Sequence, residues 1–148
     1  MSLRLWVLLI AGALSGSAAG QDAAPGGVVV SNAWSRPTPE GMSMGVGYLT
    51  VVNHGKRDDT LIHASTPAAQ SVEFHESLVV DGMSRMRPRE AIPVAAGTTV
   101  KLEPGGLHLM LVGLEAPLAA GAKVPLVLVF RGAGSITVNL SVGTPPAP

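Results

Sequence analysis

No cysteine occurs anywhere in the 148 residues. That excludes disulfides, thiolate metal sites and cysteine nucleophiles, and it leaves no cysteine to carry a lipoprotein's lipid. Aromatic residues make up only 3% of the chain, too few for recognition of nucleic acid by base stacking. Charged residues are 14% and the formal net charge is zero, with the ten Lys and Arg scattered along the chain. Scattered bases form neither a phosphate-binding stripe nor a polybasic membrane anchor. The one extended apolar run, Leu5 to Leu14, is about ten residues, short for a membrane span.

That run has the layout of an export signal. Arg4 supplies a positive start, the apolar run follows, and small residues from Ser15 to Gly20 close the segment. Cleavage after Ala19 puts Ser17 and Ala19 at the small-residue positions, and cleavage after Gly20 fits as well. Residues 1–20 are therefore expected to be a signal peptide, with an uncleaved N-terminal anchor as the alternative. Once it is cut, no membrane association is expected. Its removal takes Arg4 and no acid, leaving nine bases against ten acids, a net charge near −1.

What remains reads as one domain with its own core. Residues 21–27 are small and polar, a flexible leader, and residues 143–148 form a Pro-rich, disordered tail. Between them, over 28–142, lie short Val-, Leu-, Ile- and Thr-rich runs separated by Gly, Pro and Asp-Gly. The predicted strands are 28–34, 45–53, 60–64, 71–80, 83–87, 98–103, 107–113, 124–131 and 135–142. No window sustains a capped 3.6-residue period. Asp81-Gly82 predicts a tight hairpin, Pro104-Gly105 a type II turn, and Ala133-Gly134 the last hairpin. The pattern predicts an all-β Greek-key β-sandwich or a related barrel.

Without thiols, soft-metal chemistry must come from the four His and the five Met beyond the initiator. In Leu107-His108-Leu109-Met110-Leu111, strand alternation puts the three Leu in the core and His108 and Met110 together on the other face. A lone H-x-M is more often a core Met beside an incidental His. A second pair changes the odds. His75 shares a face with Glu73 and Ser77, and Met86 lies just beyond the Asp81-Gly82 turn. If the flanking runs pair as a hairpin, His75 and Met86 sit on adjacent strands. Two imidazoles and two thioethers suit soft, monovalent Cu(I) better than Zn(II), Mg(II) or Ca(II).

The spacing H-x10-M-x21-H-x-M, carried by His75, Met86, His108 and Met110, resembles the copper motif of the periplasmic PCuAC chaperones. Asn53-His54-Gly55 with Asp59, Val72-Glu73-Phe74-His75-Glu76, Met86-Arg87-Pro88 and Pro104 to Met110 also resemble that family's segments, in order. The resemblance spans about residues 28–142. It implies a cupredoxin-like β-sandwich, a periplasmic location and one Cu(I) per chain on those four side chains. It further implies transfer to a protein acceptor, such as a cytochrome c oxidase subunit or a thiol-containing copper chaperone. Many relatives carry Met where Ser84 stands, and Met83 points to the other face of a regular strand. The tail lacks the His and Met that bind Cu(II) in some relatives.

Other residues divide between two readings. Met42 and Met44 are an auxiliary thioether pair or ordinary packing and loop residues. His54 lies in turn chemistry, and His63 has no assigned role. Glu73 or Glu76 can orient His75. Arg85, Arg87 and Arg89 are surface partners of acids or a docking patch. A blue-copper centre needs a cysteine and is excluded. No catalytic constellation is evident, so an enzyme is not expected. A copper-tolerance or storage protein and a non-metal β-sandwich module remain the competing readings. The ligand set makes one early prediction. Thioethers do not titrate, so acid reaches such a site through imidazole alone, whose ordinary pKa is ~6.5. Cu(I) affinity is expected to fall below about pH 6, and a flat affinity profile from pH 7 to 5 contradicts two His ligands.

Overall fold

Short runs of β-branched and Leu residues with period-two alternation bury one face each and become strands. A computed structural model describes residues 26–147, and ten strands form there. They are β1 (Val28–Ser35), β2 (Met44–Asn53), β3 (Asp59–Ser65), β4 (Ala69–Val80) and β5 (Met83–Arg89), then β6 (Ile92–Val94), β7 (Thr99–Leu102), β8 (Leu107–Leu114), β9 (Lys123–Phe130) and β10 (Gly134–Val142). The signal segment expected over 1–20 and the leader up to residue 25 lie outside the described residues. Each predicted strand forms with its ends moved by at most two residues. The addition is β6, a three-residue piece at the end of the sheet order, where Pro93 is tolerated because an edge needs no donor there.

The strands join in one continuous sheet in the order β5-β4-β8-β2-β1-β10-β9-β3-β6, with β7 pairing the second half of β2. β1 runs parallel to β10, and the other pairings are antiparallel. The sheet folds over on itself, so that β3 touches β4 and β6 touches β2 despite their distance in the order. The enclosed face carries Leu49, Val51, Leu61, Leu109, Leu111 and Phe130, all essentially inaccessible. Gly45, opposite Leu111, leaves room for Leu118 of the β8–β9 connection, because a Cβ there would meet Leu118 Cδ1 at 2.9 Å.

The turns follow local chemistry. β4 and β5 are joined by Asp81-Gly82 alone, with φ of +53° and +75°, the pattern of a type I′ hairpin turn. At Pro104-Gly105, the Gly106 N–H donates to the Glu103 carbonyl at 3.1 Å and Gly105 has φ of +85°, as a type II turn requires. The last hairpin turns earlier than Ala133-Gly134 predicts, at residues 131–133, with Phe130 paired to Gly134. The cause is Asp59 on β3. Its carboxylate accepts the N–H groups of Gly132 at 2.7 Å and Ala133 at 2.8 Å, which pins the turn. Asn53, fully buried, does similar work one loop away. Its amide donates to the carbonyls of Arg57 and Val94, and its oxygen accepts the Gly55 N–H.

Burial pushes the Asp59 pKa up, but the N–H groups of Gly132, Thr60 and Ala133 and the charge of Arg131 outweigh it and hold the pKa below the usual value. A depressed folded-state pKa stabilises the fold above the unfolded pKa of about 4 and loses that stabilisation as pH falls through the folded value. Asp59→Ala is expected to destabilise by about 1–3 kcal/mol at neutral pH, since it strands N–H donors. Urea unfolding at descending pH should show the gap to wild type closing in acid. A gap independent of pH contradicts this role.

Candidate metal centre

On β8, Leu109 and Leu111 are fully buried on the core side, which fixes the orientation of their neighbours. His108 and Met110 therefore lie on the outer face of the sheet. β4 runs antiparallel beside β8, with Phe74 opposite Leu109, His75 opposite His108 and Glu73 opposite Met110. Directly opposed residues share a face. The two imidazoles thus stand side by side, ring centroids 6.0 Å apart and edge to face. β5 completes the group. Pro88 lies opposite His75, and Met86 lies opposite Ser77, which puts Met86 diagonal to His75 on the same face. Met83, opposite Val80, takes the other face, as its sequence position predicts. The register brings all four predicted residues to one patch across β5, β4 and β8.

Their burial differs sharply. His108 is 4% exposed and Met110 8%, whereas Met86 is 57% exposed. The His75 side chain is intermediate at 18%. Two buried aromatics lie further along the same outer face. Val46 on β2 lies opposite Met110, and Tyr48 keeps the same face two residues on. Tyr48 pairs with Trp34 on β1, and their rings meet at a 35° tilt with centroids 4.7 Å apart. The long-range β2–β8 pairing puts them there, and no local sequence pattern reports it.

A backbone hydrogen bond orients one imidazole, and a nearby carboxylate faces the other. His108 Nδ1 lies 3.0 Å from the Gly106 carbonyl. A carbonyl only accepts, so Nδ1 carries the hydrogen and Nε2 keeps its lone pair. The Pro104-Gly105-Gly106 turn that starts β8 places that carbonyl. Glu73 Oε2 lies 3.2 Å from His75 Nε2. Glu76 faces the other way and pairs with Arg89 at 3.4 Å, so of the two flanking acids Glu73 is the one that meets His75.

The remaining candidates separate clearly. Met44 lies opposite Val112 and shares the outer face with Met110, while Met42 sits in the turn before β2. Both are about half exposed, which rules out core packing. His54 is exposed in the loop after β2, and His63 is exposed on β3, where it lines a shallow pocket with Glu73, Phe74 and Pro88. Arg85, Arg87 and Arg89 line the face of β5 opposite to Met86. Among the described residues, no three His, Asp or Glu side chains gather as metal ligands. A metal held on this patch must draw on thioethers, which favours a soft ion.

A family model described as "Putative lipoprotein LpqE-like" matches residues 28–142. The chain belongs to this family, the family of the PCuAC domains. A relative from Leifsonia xyli subsp. xyli (strain CTCB07), named in the same way as a lipoprotein, is 36% identical over 117 residues, 78% of this chain and 69% of that one. The copper-bound PCuAC domain from PmoF2 superposes with a TM-score of 0.71 at 28% identity, covering 85% of this chain and 99% of that domain. The Cu(I) form of DR1885 from Deinococcus radiodurans gives 0.56 at 28% identity, over 75% and 74% of the two chains. The fold is thus the cupredoxin-like sandwich of PCuAC domains.

In this PCuAC-family chain the two methionines differ in what they contribute to the fold. Met110→Ala removes a buried side chain and should destabilise the metal-free protein by about 2 kcal/mol or more. Met86→Ala, at an exposed edge position, should change stability by less than about 0.5 kcal/mol. Urea denaturation of both variants checks the contrast, and equal losses contradict it.

Proposed function

We propose that the chain is an exported copper carrier that holds one Cu(I) ion on His75, Met86, His108 and Met110. The observation that carries this reading is the register of β5, β4 and β8, which gathers two imidazoles and two thioethers on one face. The copper-bound state of related PCuAC domains supports it. The lipoprotein names of relatives support export, and we place the mature protein in the periplasm after removal of residues 1–20, with residues 28–142 as the working domain. Its role is binding and transfer, not catalysis. The acceptor is a protein whose ligands hold Cu(I) more tightly, and assembly of the cytochrome c oxidase copper site is the destination that best fits the family resemblance.

The His108 and Met110 side chains are preoriented by a buried strand, so little ordering is needed to bind the ion. Met86 stands at the exposed edge, where an incoming ligand can replace it first. Anaerobic titration against a Cu(I)-specific chelator should give one Cu(I) per chain. The Met86→Ala, Met110→Ala double variant should bind at least about 100-fold more weakly, beyond the loss of a single outer hydrogen-bond partner. Equal affinity of variant and wild type means that the ligands are misassigned. Saturating Cu(I) should also raise the melting temperature, with roughly 2.7 kcal/mol of stabilisation at a hundredfold excess over Kd. An unchanged melting curve points to a module without metal function.

A further inference from the structure

A neutral imidazole has one protonated nitrogen and one lone pair, and only the lone pair can hold a metal. The two histidines are anchored by different nitrogens. His108 gives its Nδ1–H to the Gly106 carbonyl and leaves Nε2 bare. His75 does the reverse. Its Nε2 lies 3.2 Å from Glu73 Oε2, and a carboxylate beside a ring nitrogen favours the tautomer with the hydrogen on that nitrogen. The lone pair is then on Nδ1, which is buried and has no hydrogen-bond partner. Buried polar atoms are nearly always paired, and an orphan of this kind asks for a function.

We propose that Glu73 is a positioning residue that fixes the tautomer of His75, so that the ion is held by Nδ1 of His75 and Nε2 of His108. This rests on the copper site proposed above. Three observations converge on Glu73. It sits two residues before His75 on the same strand face, and it lies directly opposite Met110. Its side chain is half exposed and forms no other ion pair among the described residues. Glu76 is unavailable for the task, because Arg89 holds it on the other face. The two anchors also differ in kind. The carbonyl that fixes His108 belongs to the backbone and survives any side-chain change. The carboxylate that fixes His75 does not.

The test uses long-range proton–nitrogen NMR of the full chain labelled with 15N-histidine, in mildly alkaline solution. In the metal-free protein His75 is expected as the Nε2–H tautomer and His108 as the Nδ1–H tautomer. Anaerobic addition of Cu(I) should then shift Nδ1 of His75 and Nε2 of His108. Glu73→Gln keeps an accepting oxygen and should preserve both the tautomer and the Cu(I) affinity. Glu73→Ala should mix the His75 tautomers and weaken Cu(I) binding by roughly 10–100-fold. Glu73 is solvent-accessible, so both variants should melt as wild type does. A His75 Nδ1–H tautomer, a Cu(I)-induced shift at His75 Nε2, or a Glu73→Ala variant with the wild-type tautomer and affinity overturns the assignment while leaving the four-ligand site standing. If Cu(I) perturbs neither nitrogen of His75, the copper site itself falls and this inference falls with it.

Discussion

The antiparallel ladder between β4 and β8 is the constraint on which both the core and the candidate site depend. It sets Phe74 against Leu109 on the inner face and His75 against His108 on the outer face. A slip of one residue exchanges the two faces of a strand. On β8 that slip would expose Leu109 and Leu111 and bury His108 and Met110 in the core. Full burial of a Leu side chain is worth about 1.5–3 kcal/mol, so the inner face enforces the register strongly. The alignment of the imidazoles follows from leucine packing, not from any attraction between them. A site built in this way is preorganised before an ion arrives.

Burial declines outward from that ladder. His108 and Met110 sit on a strand flanked by β4 and β2, with the Trp34–Tyr48 pair on the neighbouring part of the outer face. His75 is on the next strand and partly exposed. Met86 is on β5, the edge, where every residue but Arg89 is exposed. An exposed edge is a hazard for strand-to-strand aggregation, and natural proteins blunt it with charge and proline. Here Arg85, Arg87, Arg89 and Pro88 do so. The three arginines put their charge on one face of β5, and Ser84, Met86 and Pro88 share the other. This separates the thioether from the cations, which keeps positive charge off the face where a cation is to be held.

Much of this was legible in the sequence because the information is local. Alternation within 107–111 is enough to place His108 and Met110 on one face, and Asp81-Gly82 is enough to define the β4–β5 hairpin. What was not legible depends on pairing between distant segments. β6 was missed because three residues around Pro93 carry no strand signal of their own, and its edge position is what allows it. The last hairpin turns early because of Asp59, more than seventy residues away in the chain. Strand alternation already puts Glu73, and not Glu76, on the face of His75; what the sequence does not show is that Arg89 holds Glu76. Tyr48, Trp34 and Met44 reach the outer face through β1–β2 and β2–β8 pairings that no short window reveals.

The lack of cysteine and the exposure of Met86 bear on the same problem in the proposed carrier role. A thiolate site holds Cu(I) strongly but must be kept reduced, which is difficult in an oxidising compartment. Thioethers avoid disulfide chemistry and stay competent in acid, at the cost of weaker ligation. Weak ligation is an advantage only if the ion leaves toward a partner and not into solvent. The burial gradient supplies that direction. His108 and Met110 are covered by protein, so an incoming ligand meets Met86 first, and His75 after it. Exchange can then proceed ligand by ligand from the β5 edge, with the buried pair released last. On this view the copper is never without partners during transfer, and its path is set by the same sheet register that built the site.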